Sequence, residues 1–245
     1  MRLDIYLAEN GIAQSRSKAQ TAISEGRVFV NGIKAEKASL EINGDENIEF
    51  IQTDRFVSRA GEKLFCALKE FDFDTSGMTA LDIGASTGGF TDCLLQNGAD
   101  YVYALDVGHS QLDAKLRNDD RVCCIEGCNA RYAKKEDFDR EIDLIVMDVS
   151  FISQTLIYPA CADILAEGKT MITLIKPQFE AGKKHIGKGG IVRDPKGQVI
   201  KEILQRLDES ARLCGFTRIG FCESSILGGD GNREYLAIFK RNQLG

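Results

Sequence analysis

An apolar run beginning at Thr79 ends in a glycine-rich turn, Leu81-Asp82-Ile83-Gly84-Ala85-Ser86-Thr87-Gly88-Gly89-Phe90-Thr91-Asp92. An amphipathic segment from Phe90 to Gln96 follows at once. The order strand, tight turn, helix leaves few folds open. In a doubly wound α/β sheet it marks the place where a nucleotide-like group meets backbone amides at a helix N-terminus.

The rest of the chain fits such a sheet. From Lys63 onward, strand and helix signals alternate. Leu64, Ala67, Leu68 and Phe71 share a helical face. Strands are expected at 101–107, 122–125, 143–148 and 170–176, and helices at 156–166 and 199–214. Continuous apolar strands between helices imply a parallel sheet covered on both faces. The last two strands, 218–223 and 234–240, are joined by a loop and imply an antiparallel addition. The expected fold is therefore α/β, with a mostly parallel Rossmann-like sheet whose last strand is antiparallel.

Residues 1–52 read as a separate α+β unit. Leu3, Tyr6 and Leu7 have helical spacing that stops at Gly11. Ala19, Ala22 and Ile23 face inward from a second helix that ends at Gly26. Val28-Phe29-Val30 reads as a strand with Asn31-Gly32 as its hairpin turn, and 42–51 as a further strand around Asn43-Gly44. Residues 53–62 read as a short linker, and 63–245 as the larger domain.

Composition removes several classes of function. No apolar run approaches the roughly 18 residues of a membrane span. The start, Met1-Arg2-Leu3-Asp4, lacks the basic head and apolar stretch of a signal peptide. Eight cysteines in a chain of 245 residues that is 43% hydrophobic read as reduced thiols of a cytoplasmic protein, since the core is large enough without disulfides. Cys123, Cys124 and Cys128 lack the paired spacing of a zinc site, and with only two histidines in the chain no metal is expected. A net charge of −6 argues against indiscriminate nucleic-acid binding. Local basic clusters remain at Arg16/Lys18/Arg27, Arg55/Arg59/Lys63 and Lys183/Lys184/Lys188.

Gly84, Gly88 and Gly89 permit close backbone approach, and Asp106 ends the next strand about 20 residues on, where an acid can bond ribose hydroxyls. A dinucleotide fingerprint would have glycine where Ser86 stands. That departure, with the closing strand pair, favours S-adenosylmethionine (SAM) over NAD. The expected cofactor residues are Asp82, Gly84, Ser86, Gly88, Gly89, Phe90, Asp106, Val107, Asn129 and Asp148. Asp106 and Asn129 each also read as local caps.

Two resemblances sharpen this. Arg2-Leu3-Asp4, Ser15-Arg16-Ser17-Lys18-Ala19 and Gly26-Arg27-Val28-Phe29-Val30-Asn31-Gly32 resemble the S-four RNA-binding domain. That resemblance implies RNA contacts by Arg2, Arg16, Lys18 and Arg27, meeting phosphates rather than reading sequence. Val57-Ser58-Arg59 with Lys63-Leu64, the turn at 81–90, Met147-Asp148-Val149-Ser150-Phe151-Ile152-Ser153, Leu174-Ile175-Lys176-Pro177-Gln178-Phe179-Glu180 and Gly231-Asn232-Arg233-Glu234-Tyr235 resemble the FtsJ-like ribose methyltransferases. Over its whole length the chain resembles the TlyA (hemolysin A) family of ribosomal RNA 2′-O-methyltransferases.

The resemblance implies a Lys-Asp-Lys-Glu tetrad at Lys63, Asp148, Lys176 and Glu234. In that reading Lys176 is the base or orienting group for the hydroxyl, Lys63 positions the ribose, and the two acids hold the lysines. It further implies ribosomal RNA within a ribosomal subunit as partner, a cytidine as target, and the large subunit in view of the short N-terminus. Arg59, Lys183 and Lys184 are added as RNA contacts, the last two on a basic loop at 182–190 that also reads as plain surface. The sequence leaves the oligomeric state open. Three rivals stand beside the enzyme: an RNA-binding protein without catalysis, a membrane-lytic protein, as the second family name suggests, and a Rossmann dehydrogenase, which competition of SAM against NAD would tell apart. The lytic reading has no spanning segment or strongly basic amphipathic helix to act through.

Overall fold

The computed structural model describes residues 1–13, 15–24, 26–50 and 55–243. Contacts divide the chain into two compact units, Met1–Arg55 and Phe56–Gly245.

The first unit holds helices α1 (Leu3–Glu9) and α2 (Arg16–Ser24) over strands β1 (Val28–Val30), β2 (Ile33–Lys34) and β3 (Ile48–Phe50). The strands form an antiparallel sheet ordered β2-β1-β3. Asn31 and Gly32 both take positive φ, 51° and 77°, the geometry of a two-residue hairpin turn whose twist matches its strands. Leu3, Leu7, Ala19, Ala22, Ile23, Val28 and Ile42 form the core. The strand expected over 42–51 is shorter. The Glu46 carboxylate accepts the backbone N–H groups of Asn43 and Gly44 and holds them as a turn, so only Ile48–Phe50 pairs. Residues 51 and 52 lie outside the described residues.

The second unit contains α3 (Arg59–Glu70), β4 (Thr79–Ile83), α4 (Gly89–Gln96), β5 (Tyr101–Leu105), α5 (Ala114–Arg117), β6 (Val122–Ile125), β7 (Leu144–Met147), α6 (Tyr158–Ile164), β8 (Thr170–Ile175), α7 (Pro177–Glu180), α8 (Gln198–Leu213), β9 (Phe216–Glu223) and β10 (Tyr235–Arg241). Seven strands form one sheet ordered β6-β5-β4-β7-β8-β10-β9. Its first five strands run parallel, and β10 runs antiparallel to both β8 and β9. The strands are buried on alternating sides. Leu81 and Ile83 face the cluster that includes α6 and α8, while Ala80 faces the α3–α4 cluster. Covered on both faces, the sheet exposes only its rims, and the carboxyl rim is where ligands bind in this architecture.

Residues 56–62, expected as the far half of a linker, are part of this unit. Phe56 and Val57 are buried in the α3–α4 cluster, and the Val57 N–H donates to the Asp92 carboxylate at 2.8 Å. The apolar pair has a ready site beneath α3, so it packs rather than spans. Residues 53 and 54 lie outside the described residues.

Candidate active site

The turn after β4 is shaped by what surrounds it. Gly84 sits at φ +84°, and a Cβ there would lie 2.4 Å from the Asp148 carbonyl oxygen. Its N–H and that of Ala85 both donate to the Leu105 carbonyl. Ser86 occupies the left-handed region at φ 48°, where glycine would be unstrained. Its backbone N–H donates to Asp106 Oδ2 at 2.8 Å, and Gly108 N–H donates to Oδ1 at 2.7 Å. The Asp106 carboxylate is thereby fixed, with one acceptor position left on each oxygen.

A cleft of about 420 Å³ lies along this rim. Of the residues named above for the cofactor, Gly84, Ser86, Asp106, Val107, Asn129 and Asp148 line it. Ile83, Leu105, Ala130, Ile152 and Ile157 supply apolar wall. The volume, the apolar lining and the few fixed polar groups are those of a small-molecule site. Asn129 also accepts the Arg131 N–H at 3.1 Å, so it caps a helical turn as well as lining the cleft.

The other expected cofactor residues lie behind the cleft. A Cβ on Gly88 would fall 2.2 Å from a Leu116 methyl, and one on Gly89 would fall 2.2 Å from Ser58 Oγ and 2.9 Å from Gly61 N. These glycines admit the side chains of α5 and the close crossing of α3 over α4. Phe90 is buried in the α3–α4 core. Asp82 is fully buried: Oδ2 accepts the Thr91 hydroxyl at 2.7 Å, and Oδ1 has no hydrogen-bond partner among the described residues. Burial, reinforced by the nearby Asp148 and Asp106 charges against a lowering by Thr91, pushes its carboxyl up to about 7.

Sheet topology brings the four tetrad residues to the same rim. Asp148 follows the last residue of β7, and Lys176 follows the last residue of β8. Because β10 is reversed, with Tyr235 opposite Ile175, Glu234 before it arrives at the carboxyl rim beside Lys176. Lys63, on the inner face of α3, is buried and pairs with the equally buried Glu234. Lys176 Nζ lies 2.6 Å from Asp148 Oδ1, but the contact is not aligned as a hydrogen bond. The ammonium instead donates to Ser150 Oγ at 2.9 Å. One buried Asp148 oxygen is thus left without a hydrogen-bond donor at the edge of the cleft.

The loop after Asp148 is fastened from below. Glu180, buried on α7, accepts Ser153 Oγ–H, Gln154 N–H and the Arg206 guanidinium at 2.8–2.9 Å. Buried Gln154 donates to the Leu174 carbonyl at 2.6 Å, two residues before Lys176. This anchorage holds Phe151 at φ 63° with its ring 90% exposed, against Phe179 at a centroid distance of 4.8 Å. Sequence reasoning missed Ser150, Phe151, Phe179 and Glu180 as site residues. Their motifs were visible, but the positive φ that throws an aromatic ring into solvent leaves no periodic trace.

The expected RNA contacts have mixed settings. Arg2 and Arg16 both pair at 2.9 Å with Asp4, which is fully buried and also accepts from Gln20. The Arg2 guanidinium chiefly, with Gln20 and Arg16, holds the Asp4 carboxyl far below its ordinary value. Both arginines remain substantially exposed. Lys18 and Arg27 are half-buried, and Lys184 is exposed on a helical turn at Lys183–His185. Arg59 donates to the Leu227 carbonyl at 2.9 Å, tying α3 to the loop that leads to Glu234.

A family model described as FtsJ-like methyltransferase matches residues 56–241, and the S4 domain model matches residues 1–48. Hemolysin A of Brachyspira hyodysenteriae is 51% identical over 98% of this chain and 99% of its own. The chain belongs to the TlyA/hemolysin A family of FtsJ-like methyltransferases. A Mycobacterium tuberculosis relative of this methyltransferase, named 16S/23S rRNA (cytidine-2'-O)-methyltransferase TlyA, is 38% identical over 96% of this chain and 87% of its own. The solved structure of a hemolysin candidate from Streptococcus thermophilus superposes with a TM-score of 0.78 at 41% identity, covering 99% of this chain and 89% of that one.

Proposed function

We propose that this methyltransferase transfers a methyl group from SAM to the ribose 2′-hydroxyl of a cytidine in ribosomal RNA. The name of the M. tuberculosis relative suggests the substrate. The observation that carries the reading is the meeting of two Lys–carboxylate pairs at one sheet rim, beside a cleft with a fixed carboxylate. Asp106 suits a ribose diol, and Gly84 leaves room where a side chain would stand. Bound there, SAM would supply an electrophilic methyl on a cationic sulfur whose departure as a thioether needs no protonation.

The chain's own residues must align the hydroxyl and relieve it of a proton. Lys176, held by Asp148 and Ser150, orients the attacking oxygen; it can take up the hydroxyl proton only as the neutral amine, after releasing one of its own protons to Asp148 or to solvent. Lys63, held by Glu234, fixes the ribose from the α3 side. Phe151 offers an aromatic face for stacking a nucleobase. Phosphate contacts by Arg2 and Arg16, with Lys18, Arg27, Lys183 and Lys184, would supply the RNA affinity, and such a reaction belongs to the cytoplasm.

Transfer of labelled methyl from SAM to separated ribosomal subunits, followed by mapping of the modified nucleotide, tests the substrate, with the large subunit expected to be labelled. Label on no ribosomal RNA would overturn it and favour an RNA-binding protein without catalysis. Lys176→Ala should lower turnover about 10²–10⁴-fold while SAM still binds; wild-type turnover in that variant would sink its assignment. For the lytic alternative, no helix among the described residues is long and apolar enough to cross a membrane.

A further inference from the structure

A second cavity, of about 340 Å³, lies on the same rim but further along the sheet. The cofactor cleft is built on the ends of β4, β5 and β7, whereas this one is built on β8 and β10. Pro177, which lines it, directly follows Lys176, and Arg233 and Tyr235 in its wall flank Glu234. The tetrad therefore stands between two cavities, and only one is needed for the methyl donor.

The chemistry of the second cavity is specific in kind. Pro177, Ile191, Pro195, Ile200 and Tyr235 give it apolar and flat surfaces, between which Asp194, Asn232 and Arg233 make the rest of the lining polar. Two of its polar side chains are tied to the backbone around them. Asn232, 2% exposed, accepts from Val192 N–H at 2.8 Å and donates to the Gly190 carbonyl at 3.0 Å. The Asp194 carboxylate accepts the Ile200 N–H at 2.8 Å at the start of α8. Around this interior the cations are exposed: Arg233 lines the cavity, with a loose, exposed pairing to Glu223 at 3.7 Å that a phosphate could displace, and Arg193 and Lys196 stand on the segment that forms its wall. Flat apolar surfaces mixed with hydrogen-bonding groups inside, and guanidinium and ammonium groups at the mouth, match a nucleobase with its phosphate.

We propose that this cavity holds an unpaired nucleobase of the RNA, next in the strand to the methylated nucleotide, with its phosphate on Arg233. The proposal rests on the RNA-methylation reading and adds to it a second point of attachment. The prolines and Tyr235 would grip a base by its faces rather than its edges, so the pocket requires a base and discriminates weakly among bases. Occupancy there would fix the strand on the far side of Lys176, so that the reacting ribose is held from both ends.

Two measurements on the full chain test this. In the first, uridine 5′-monophosphate is titrated and backbone amide shifts are read. Shifts are expected at Ile191, Val192 and Tyr235, and they should vanish in Ile191→Trp, which fills the cavity. Shifts confined to the cofactor cleft, or none, would overturn the proposal whether or not methyl transfer occurs. In the second, the wild-type protein methylates RNA carrying an abasic residue at each position flanking the mapped target. Loss of one flanking base should raise KM about 5- to 100-fold, and exchanging that base for another should change KM by no more than about twofold. Ile191→Trp should show the raised KM on intact RNA, an unchanged Kd for SAM, and no further response to the abasic residue. Insensitivity of KM to both abasic positions would refute the subsite while leaving the methylation reading intact. Absence of methyl transfer to any RNA would refute that reading and leave the mononucleotide titration to decide this one.

Discussion

Lys63→Met removes one partner of an ion pair in which Lys63 is 7% and Glu234 3% exposed. Glu234 would then be a buried carboxylate facing a thioether. Breaking a buried pair from one side costs about 3–5 kcal/mol, chiefly the desolvation of the abandoned charge. In a unit of this size about 2–4 °C of Tm is lost per kcal/mol, so the single variant should melt about 6–20 °C below wild type. Glu234→Met should behave alike, stranding the ammonium. The double variant Lys63→Met/Glu234→Met removes both charges and substitutes two unbranched chains of similar length. Its stability should return to wild type or exceed it by about 1–4 kcal/mol, while methyl transfer stays abolished. Thermal unfolding followed by circular dichroism, with methyl transfer measured on the same samples, gives the complete cycle. A single variant that loses less than about 1 kcal/mol, or a double variant whose loss equals the sum of the singles, would refute the reasoning that the two charges are buried as a pair and depend on each other.

Asp82→Asn tests the buried carboxyl. Its folded value is pushed up to about 7 from 3.8, so the folded form holds a proton that the unfolded chain has released. Stability should fall as pH rises from about 4 to about 7, and the asparagine variant should lose that slope in urea titrations across this range. Gly89→Ala places a methyl against Ser58 and the backbone of Gly61; overpacking of about 1–3 kcal/mol should appear as a lower urea midpoint, with reduced turnover as Lys63 shifts with α3. Phe151→Gly relieves a left-handed residue of about 1–2 kcal/mol and should raise Tm, yet KM for RNA should rise with loss of the exposed ring.

The strand–turn–helix from Thr79 to Gln96 was legible because apolar run, glycines and amphipathic period all agree over a short stretch. The sheet's reversed last strand was legible from the loop that replaces a helix before it. What stayed hidden was division of labour among neighbours. Gly84 and Gly88 look equivalent in sequence, but one abuts Asp148 at the cleft and the other receives leucines at its back. That difference depends on α5, a single helical turn too short to announce itself. The same holds for Phe56-Val57: an apolar pair between charges reads as a linker until α3 and α4 supply a place to bury it. Pairings across long separations, Lys63 with Glu234 or Glu180 with Ser153, have no local signal at all and came only from motif resemblance or not at all.

The reversed β10 also imposes an order in time. In the sheet β9 pairs only with β10, which fills the gap between it and β8. A chain synthesised from its N-terminus therefore has every residue of the cofactor cleft, the last being Ile157, well before it has Glu234. Until β10 is made, the carboxylate that pairs with Lys63 is missing and β9 lacks its partner strand. The residues that line the cleft are thus all in place along the chain before the carboxylate that pairs with Lys63, and the strand directly after that carboxylate closes the sheet between β8 and β9.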